Sequence, residues 1–441
     1  MAPTSASRRI LGIIDSDSYA KWGASLLAQL GLGWSVELVR VVSRLAASDA
    51  QLAFALAGTG FRPDAAPSAS LGEIIDRLNA GGHDAVFVST SGAVAEAVIT
   101  EITQRVRPRP VIMTGLPGIS TPAKYKGLFR RAQADLFVLH SHREIREYRD
   151  LAQKRGVPHE FVLATLPFLE HHEPVPEWSG ERDSIVFAAQ PGVPQTLAER
   201  RTLVDRLVQT AVAHPGLRVV IKVRAQAGER QTHRERHPYA ELVPQNAPRN
   251  LVVEGGSMVS HLARAVGFVT VSSTAAIEAI AAGVPSLVLT DFGVSGELIN
   301  EVFVGSGLLG PSRDLIAGRF HEVDPRWRSD NYFHPAGENT WQTRLEALAA
   351  LRDAEPLPHR PAKRRSRGGP LRRAWDRKRA FGSYDHSPLG YAAAAIGYPV
   401  LALRHRLVAL RDGMAASSAA PAEDEQPVES AEPIRAPAAR G

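Results

Sequence analysis

Three consecutive hydroxyl residues, Ser272, Ser273 and Thr274, are followed four positions after the last of them by an acid, Glu278, among small and apolar neighbours. Hydroxyls at a helix start accept from its first free N–H groups. The same end of a helix, with free donors and a positive dipole, also suits an anion, and three hydroxyls there suit a diphosphate. Glu278 shares a helix face with Thr274 but stands one residue too far along for a capping box. Its carboxylate is thus available for another task, such as accepting from ribose hydroxyls. The plainer alternative is that the hydroxyls only cap and Glu278 is solvated surface. A second pair of acids, Asp15 and Asp17, supplies what a group transfer to a hydroxyl needs, a general base. Either can instead cap the helix that follows; Asp17 is the preferred base. Lys21 and Trp22, a turn later, suit pairing with or stacking on an acceptor sugar, and Ser91 and His140 stand at neighbouring strand ends as further acceptor contacts.

These residues need elements to hold them. Phe268 to Val271 reads as a buried strand, Ala275 to Ala282 as a helix stopped by Gly283 and Pro285, and Ser286 to Leu289 as the next strand. Upstream, apolar runs at Ile10–Ile14, Val36–Val42, Asp84–Ser89, Pro110–Thr114 and Leu136–His140 alternate with helical patterns. Strand and helix in repetition predict a doubly wound parallel sheet with its ligand site at the carboxyl ends of the strands. Ser184–Ala188, Leu217–Val223 and Asn250–Glu254 begin the same pattern again, so the expected fold class is α/β with two Rossmann-like domains, residues 1–169 and 184–350, joined by a linker at 170–183. Lys222 and Arg224 alternate along an extended strand end; Arg224, at the end itself, is the preferred phosphate contact. His140 and His142 likewise face opposite ways, which argues against a metal pair, and no metal ligands are expected.

The pattern Ser272-Ser-Thr…Glu278…Ala-Gly283-Val-Pro285 resembles the donor-nucleotide segment of glycosyltransferases of GT-B architecture, most closely the bacterial capsular polysaccharide and polysialic-acid type transferases. The resemblance runs to about residue 350 and is strongest over 250–310. It implies two domains facing a cleft, the first for the acceptor and the second for the nucleotide sugar. It implies that the hydroxyl cluster meets the donor phosphate and Glu278 the nucleotide sugar ring. It also puts Gln190 in a donor-side loop, and Gly255 and Gly256 where backbone meets the nucleobase. One departure stands out: in the family the strand-end lysine is closely followed by His-Pro, whereas Lys222-Val-Arg224 has no His-Pro before His237-Pro238. The implied reaction moves a sugar from a nucleotide-activated donor to a cell-envelope polysaccharide or lipid-linked glycan, with no cofactor besides the donor substrate and without metal. Epimerases of the same architecture share the segment, so a nucleotide-sugar epimerase is an alternative, as is a non-catalytic membrane-recruited binding module.

At 441 residues the chain exceeds one compact core. It has no cysteine, which excludes disulfides, thiolate metal sites and cysteine nucleophiles. The net charge of +6 is concentrated between Lys363 and Arg379, while the tail after Ala419 is acidic, so whole-protein nucleic-acid binding is not expected. The glycine-rich dinucleotide fingerprint, the Gly-Lys-Ser/Thr phosphate loop and the Gly-x-Ser-x-Gly elbow are all missing from the sequence. With no signal peptide or membrane span legible, the expected location is cytoplasmic, peripheral on the inner face of the plasma membrane. Residues 351–416 read as a basic, partly apolar helical extension, and 361–411 suits an interfacial helix on anionic lipid. For 388–412 a plain helical cover packed on the sheet domains is the alternative, and RNA binding a third. Residues 417–441 read as disordered.

Overall fold

The computed structural model describes residues 7–170, 180–190, 192–223, 236–358, 360 and 369–418, with the side chains of the final helix through Leu403. Most of the expected linker, Arg224, the basic run before residue 369 and the tail beyond residue 418 lie outside the described residues.

Two parallel sheets form the molecule. The first contains β1 (Arg8–Ile14), β2 (Trp34–Val41), β3 (Ser68–Ala69), β4 (Ala85–Ser89), β5 (Val111–Gly115), β6 (Leu136–Leu139) and β7 (Glu160–Leu163), in the order β3-β2-β1-β4-β5-β6-β7. The second contains β8 (Ser184–Ala188), β9 (Arg218–Lys222), β10 (Leu251–Glu254), β11 (Ala265–Thr270), β12 (Ser286–Leu289) and β13 (Leu309–Gly310), in the order β10-β9-β8-β11-β12-β13. The near-continuous burial of β4, β5 and β8 is what strands covered on both faces require. In each sheet the order reverses once, between β1 and β4 and between β8 and β11, and the crevice beyond those strand ends is where doubly wound sheets take ligands.

Seven helices matter to the site: α1 (Asp17–Leu27), α2 (Gly92–Arg105), α3 (His142–Arg155), α4 (Ala275–Ala281), α5 (Trp341–Ala354), α6 (Gly369–Phe381) and α7 (Pro388–Ser418). Their limits follow local chemistry. At α3 the Ser141 hydroxyl accepts from the Glu144 amide at 3.0 Å, and Gly156 closes the helix at φ 55°, a left-handed turn that glycine takes without strain. At α4, Gly283 at φ 64° ends the helix where the sequence places its stop.

The sequence leaves α5 in the second domain, but the structure assigns it to the first. Trp341, Leu345 and Ala349 are fully buried in the core over β1, β4 and β5. The chain re-enters there through paired bonds of 3.0 Å, from the Thr340 amide to the Leu163 carbonyl and from the Leu163 amide to the Thr340 hydroxyl. The second sheet is thus an insertion between β7 and α5. Beyond it, α6 packs on α2 with Ala380 and Phe381 in the core of the first domain, and α7 packs on α6. The span 388–412, expected as an interfacial helix or a plain cover of the sheets, lies in α7, which packs on α6. Among the described residues, no helix is long and apolar enough to cross a membrane.

Side chains also join the two domains. The Tyr332 hydroxyl donates to Glu144 Oε1 at 2.7 Å, Arg146 forms a two-pronged pair with Asp330 at 2.7 and 2.6 Å, and Arg143 donates to the Val302 carbonyl at 3.0 Å.

Candidate functional site at the interdomain cleft

At the first crevice, Asp15 ends β1 fully buried. Its Oδ1 accepts from the Ser16 amide at 2.6 Å and its Oδ2 from the Ser91 amide at 2.8 Å, tying the end of β1 to the start of α2. Burial pushes its carboxyl above the ordinary aspartate range against the pull of those bonds. Asp15 is thus a positioning residue, and the expectation that it serves as a base is corrected: an acceptor hydroxyl cannot reach a fully buried carboxylate. Ser91, half-buried, presents its amide to Asp15. Asp17 opens α1, half-buried, and Lys21 is exposed on the same helix face one turn later.

Trp22 and His140 are the second correction. Trp22 Nε1 donates to His140 Nε2 at 2.7 Å, and because an indole only donates, His140 carries its proton on Nδ1 and donates to the Ala164 carbonyl at 2.8 Å. His140 is fully buried and Trp22 nearly so. Burial lowers the His140 pKa to about 4. Both side chains are core, so neither reaches an acceptor as the sequence suggested. They also fix the loop beside them. A Cβ on Gly115 would lie 2.8 Å from Trp22 and 2.5 Å from the Val138 carbonyl, so only glycine lets the chain turn there into Leu116-Pro117-Gly118.

At the second crevice the three hydroxyls have three different settings. Ser272 donates to Gln190 Oε1 at 2.6 Å, and Gln190 Nε2 donates back to the Ser272 carbonyl at 3.2 Å. Gln190 and Ser272 therefore tie β8 to β11, as Asp15 ties β1 to α2. Ser273 braces the turn into the helix: its Oγ accepts from the Ala275 amide at 3.2 Å, while its own amide donates to Thr270 Oγ1 at 3.0 Å. Thr274 is exposed and makes no capping bond. It faces the other domain, since a Cβ built on Gly118 would lie 3.9 Å from Thr274 Cγ2. The start of α4 opens toward the Gly115–Gly118 loop across the gap.

Glu278 is half-buried on α4. Burial raises its carboxyl above the ordinary glutamate value, while the charges of Lys21 and Lys222 pull it back down. One lysine comes from each domain, and sequence reasoning preferred Arg224 to Lys222. Their alternation in the sequence did not say which would face the crevice, and Arg224 lies outside the described residues. The nearby loop after β10 is anchored by His261, whose Nε2 donates to the Gly255 carbonyl at 2.8 Å, and Gly256 stands at φ 91° with its backbone exposed. Sequence reasoning also passed over Glu144, which is fully buried and accepts from the Ser120 amide at 2.7 Å, the His140 amide at 3.0 Å and Tyr332. A partner on a distant, aromatic and irregular stretch leaves no local signal. Among the described residues, no three His, Asp or Glu side chains are grouped to hold a metal.

Residues 10–348 match the model of a family described as "Putative glycosyltransferase (DUF6716)". No curated protein has a matching sequence. Among solved structures, the chain is similar to the UDP-GlcNAc 2-epimerase from Neisseria meningitidis bound to UDP-GlcNAc, at 13% identity and a TM-score of 0.50 over 78% of this chain and 100% of that one. It is also similar to a UDP-N-acetylglucosamine 2-epimerase at 14% identity and a TM-score of 0.50, over 81% of this chain and 100% of that one. A UDP-glucosyltransferase from Polygonum tinctorium aligns at 14% identity and a TM-score of 0.49 over 80% of this chain and 100% of that one. With most of its length under the family model and two facing parallel-sheet domains beneath it, the chain belongs to this family and has the GT-B architecture.

Proposed function

We propose that the protein transfers a sugar from a nucleotide-activated donor, seated on the second domain, to a hydroxyl of an envelope polysaccharide or lipid-linked glycan presented by the first. One observation carries this reading: the carboxyl of Glu278, one turn into α4, feels the positive charges of Lys222 from its own domain and of Lys21 from the opposite one. A carboxylate there can accept from ribose hydroxyls. The two cations, the Thr274 hydroxyl and the amides at the helix start can stabilise the charge that grows on a departing nucleoside diphosphate. In the transfer step the acceptor oxygen bonds to the anomeric carbon as the bond from that carbon to the phosphate oxygen breaks. Asp17, on the Lys21 face of α1, takes the acceptor proton. Gly255 and Gly256 offer backbone groups to the nucleobase, and Ser91 lines the acceptor side. The same residues would serve this transfer without a metal or further cofactor.

Thermal shift with UDP, CMP, CDP and GDP tests the donor half, because a ligand at about a hundred times its Kd adds roughly 2.7 kcal/mol of stability. UDP comes first, since similar structures are named for UDP sugars. A panel without any shift removes the donor site. For the chemical half, Asp17→Asn should lower turnover by about 10²- to 10⁴-fold while nucleotide binding stays unchanged; unchanged turnover removes Asp17 from the reaction. The epimerase architecture shared with the Neisseria enzyme keeps a second reading, epimerisation of a nucleotide sugar. Product formed without an acceptor selects it.

A further inference from the structure

Three arginines are buried among the described residues, and two of them are spent on protein partners. Arg109 pairs with both carboxylate oxygens of Asp135, at 2.6 and 3.1 Å. Arg200 gives its Nε, Nη1 and Nη2 to the carbonyls of Pro194, His237 and Gln190, at 3.0, 2.8 and 2.8 Å. Arg131 differs. It is 1% exposed, yet only its Nη2 is used, donating to the Thr90 carbonyl at 2.9 Å and to the Tyr19 hydroxyl at 3.1 Å, with the Tyr19 ring 5.9 Å from its Cζ. Its Nε is buried without an acceptor, and among the described residues no carboxylate pairs with it. Desolvation penalises such a charge heavily, which is why buried guanidinium groups are ordinarily paired.

The unused edge of Arg131 points at the start of α2. A Cβ built on Gly92, the first residue of that helix, would lie 3.7 Å from Arg131 Nη1 and 3.0 Å from Arg130 Nη1. Cβ vectors lean toward a helix's N-terminus, so both guanidinium groups stand on the side where the first amides face outward. No side chain caps α2, which leaves those amides to an outside acceptor. Thr90, fully buried just before it, holds its hydroxyl without a partner among the described residues. The acids nearby do not fill the place. Glu96 Oε2 is 3.7 Å from Arg130 Nε, beyond hydrogen-bond reach, and Asp15 is spent on the Ser16 and Ser91 amides and pairs with neither arginine. Ser91, Gly92, Ala93 and Arg130 are only half-buried, so solvent reaches the spot.

We propose that the start of α2 is an oxyanion subsite, in which the first-turn amides and the guanidinium groups of Arg131 and Arg130 hold a phosphate or a carboxylate. The positive end of the helix and two planar forks supply charge-assisted bonds to the same group. The subsite lies at the carboxyl end of β4, in the first-domain crevice. Arg131 is tied through the Tyr19 hydroxyl to α1, two residues after Asp17. On the sugar-transfer reading, which this step rests on, the occupant is therefore the acceptor, and the acceptor is anionic. It carries either a diphosphate carrier or an acidic sugar, held near the base that takes its hydroxyl proton. The subsite itself stands on the arginines and the uncapped helix alone.

Calorimetric titration of the full chain with inorganic pyrophosphate and with glucuronate, against neutral glucose, tests it. Any nucleotide that stabilises the protein is kept at saturation, so that the α4 site is filled. At least one anion is expected to bind, more weakly as salt rises, and glucose is not. Tighter pyrophosphate assigns the diphosphate carrier; tighter glucuronate assigns the acidic sugar. Arg131→Gln should lower anion affinity about ten- to a hundredfold, the order of losing charge-assisted bonds, and leave the nucleotide shift unchanged. Because Arg131 is buried, Gly92→Ala serves as a second variant. Alanine suits a helix, and its methyl enters the space between the two guanidinium groups, so the melting temperature should hold while anion affinity drops by a similar factor. Failure of both anions to bind overturns the proposal, as does glucose binding equally well. Wild-type anion affinity in either folded variant overturns it too. None of these readings depends on turnover. Anion binding without any nucleotide binding would sink the transfer reading and leave the subsite, and the reverse result would sink the subsite alone.

Discussion

Glu278 shows how one carboxylate reports on its setting. Burial raises its folded pKa above the ordinary value, so the folded state holds its proton more tightly than the unfolded chain does. Between those two pKa values the folded state binds more protons, and this group's contribution to stability declines as pH rises through that window. Glu278→Gln should remove that component. Thermal melts from pH 4 to 8 are expected to show the variant gaining on the wild type as pH rises, with nucleotide affinity about ten- to a hundredfold lower. A variant with the wild-type pH profile and full nucleotide affinity would take Glu278 out of the site. At this scale the sequence was half legible. Hydroxyls before a helix and an acid one turn later are visible in any one-dimensional reading. That Ser272 is spent on Gln190 and Asp15 on the Ser91 amide is not, because each partner follows a different strand. Trp22 and His140 misled for the same reason. Polar atoms at a strand end look available until the fold brings them together, 118 residues apart in sequence.

Strands and helices were read closely from periodicity and stop signals. The alternation of apolar runs and helical patterns is local chemistry, and it was enough to predict two parallel sheets. What local chemistry cannot encode is which sheet a helix covers. Helix α5 follows the second domain in sequence, and only Trp341, Leu345 and Ala349 under the first sheet show where it belongs. Trp341→Ala should therefore destabilise the first domain, by about 3–5 kcal/mol. Urea melts followed by two probes, one in each domain, are expected to show the first domain losing most. An equal loss in the second domain would mean that the two unfold as one unit.

Across the whole molecule, Glu144 connects the domains. It holds the loop through Ser120 and the end of β6 through His140, and it receives Tyr332 from the other side. Burial raises its carboxyl pKa, and these donors oppose the rise. Tyr332→Phe leaves the first-domain bonds in place and removes only the link across. Turnover is expected to drop by about tenfold, the order of one hydrogen bond, with nucleotide affinity unchanged. If turnover holds, the facing of the two domains does not depend on this bond. The Arg146–Asp330 pair is more exposed and should matter less.

The insertion of the second sheet between β7 and Thr340 also sets a timetable for synthesis. A ribosome releases all seven strands of the first sheet long before it makes Trp341, so the apolar face that α5 finally covers stays bare while the whole second domain emerges. The nascent chain must carry that uncovered surface until its last structural helices arrive. A holding chaperone would have its longest opportunity in that interval.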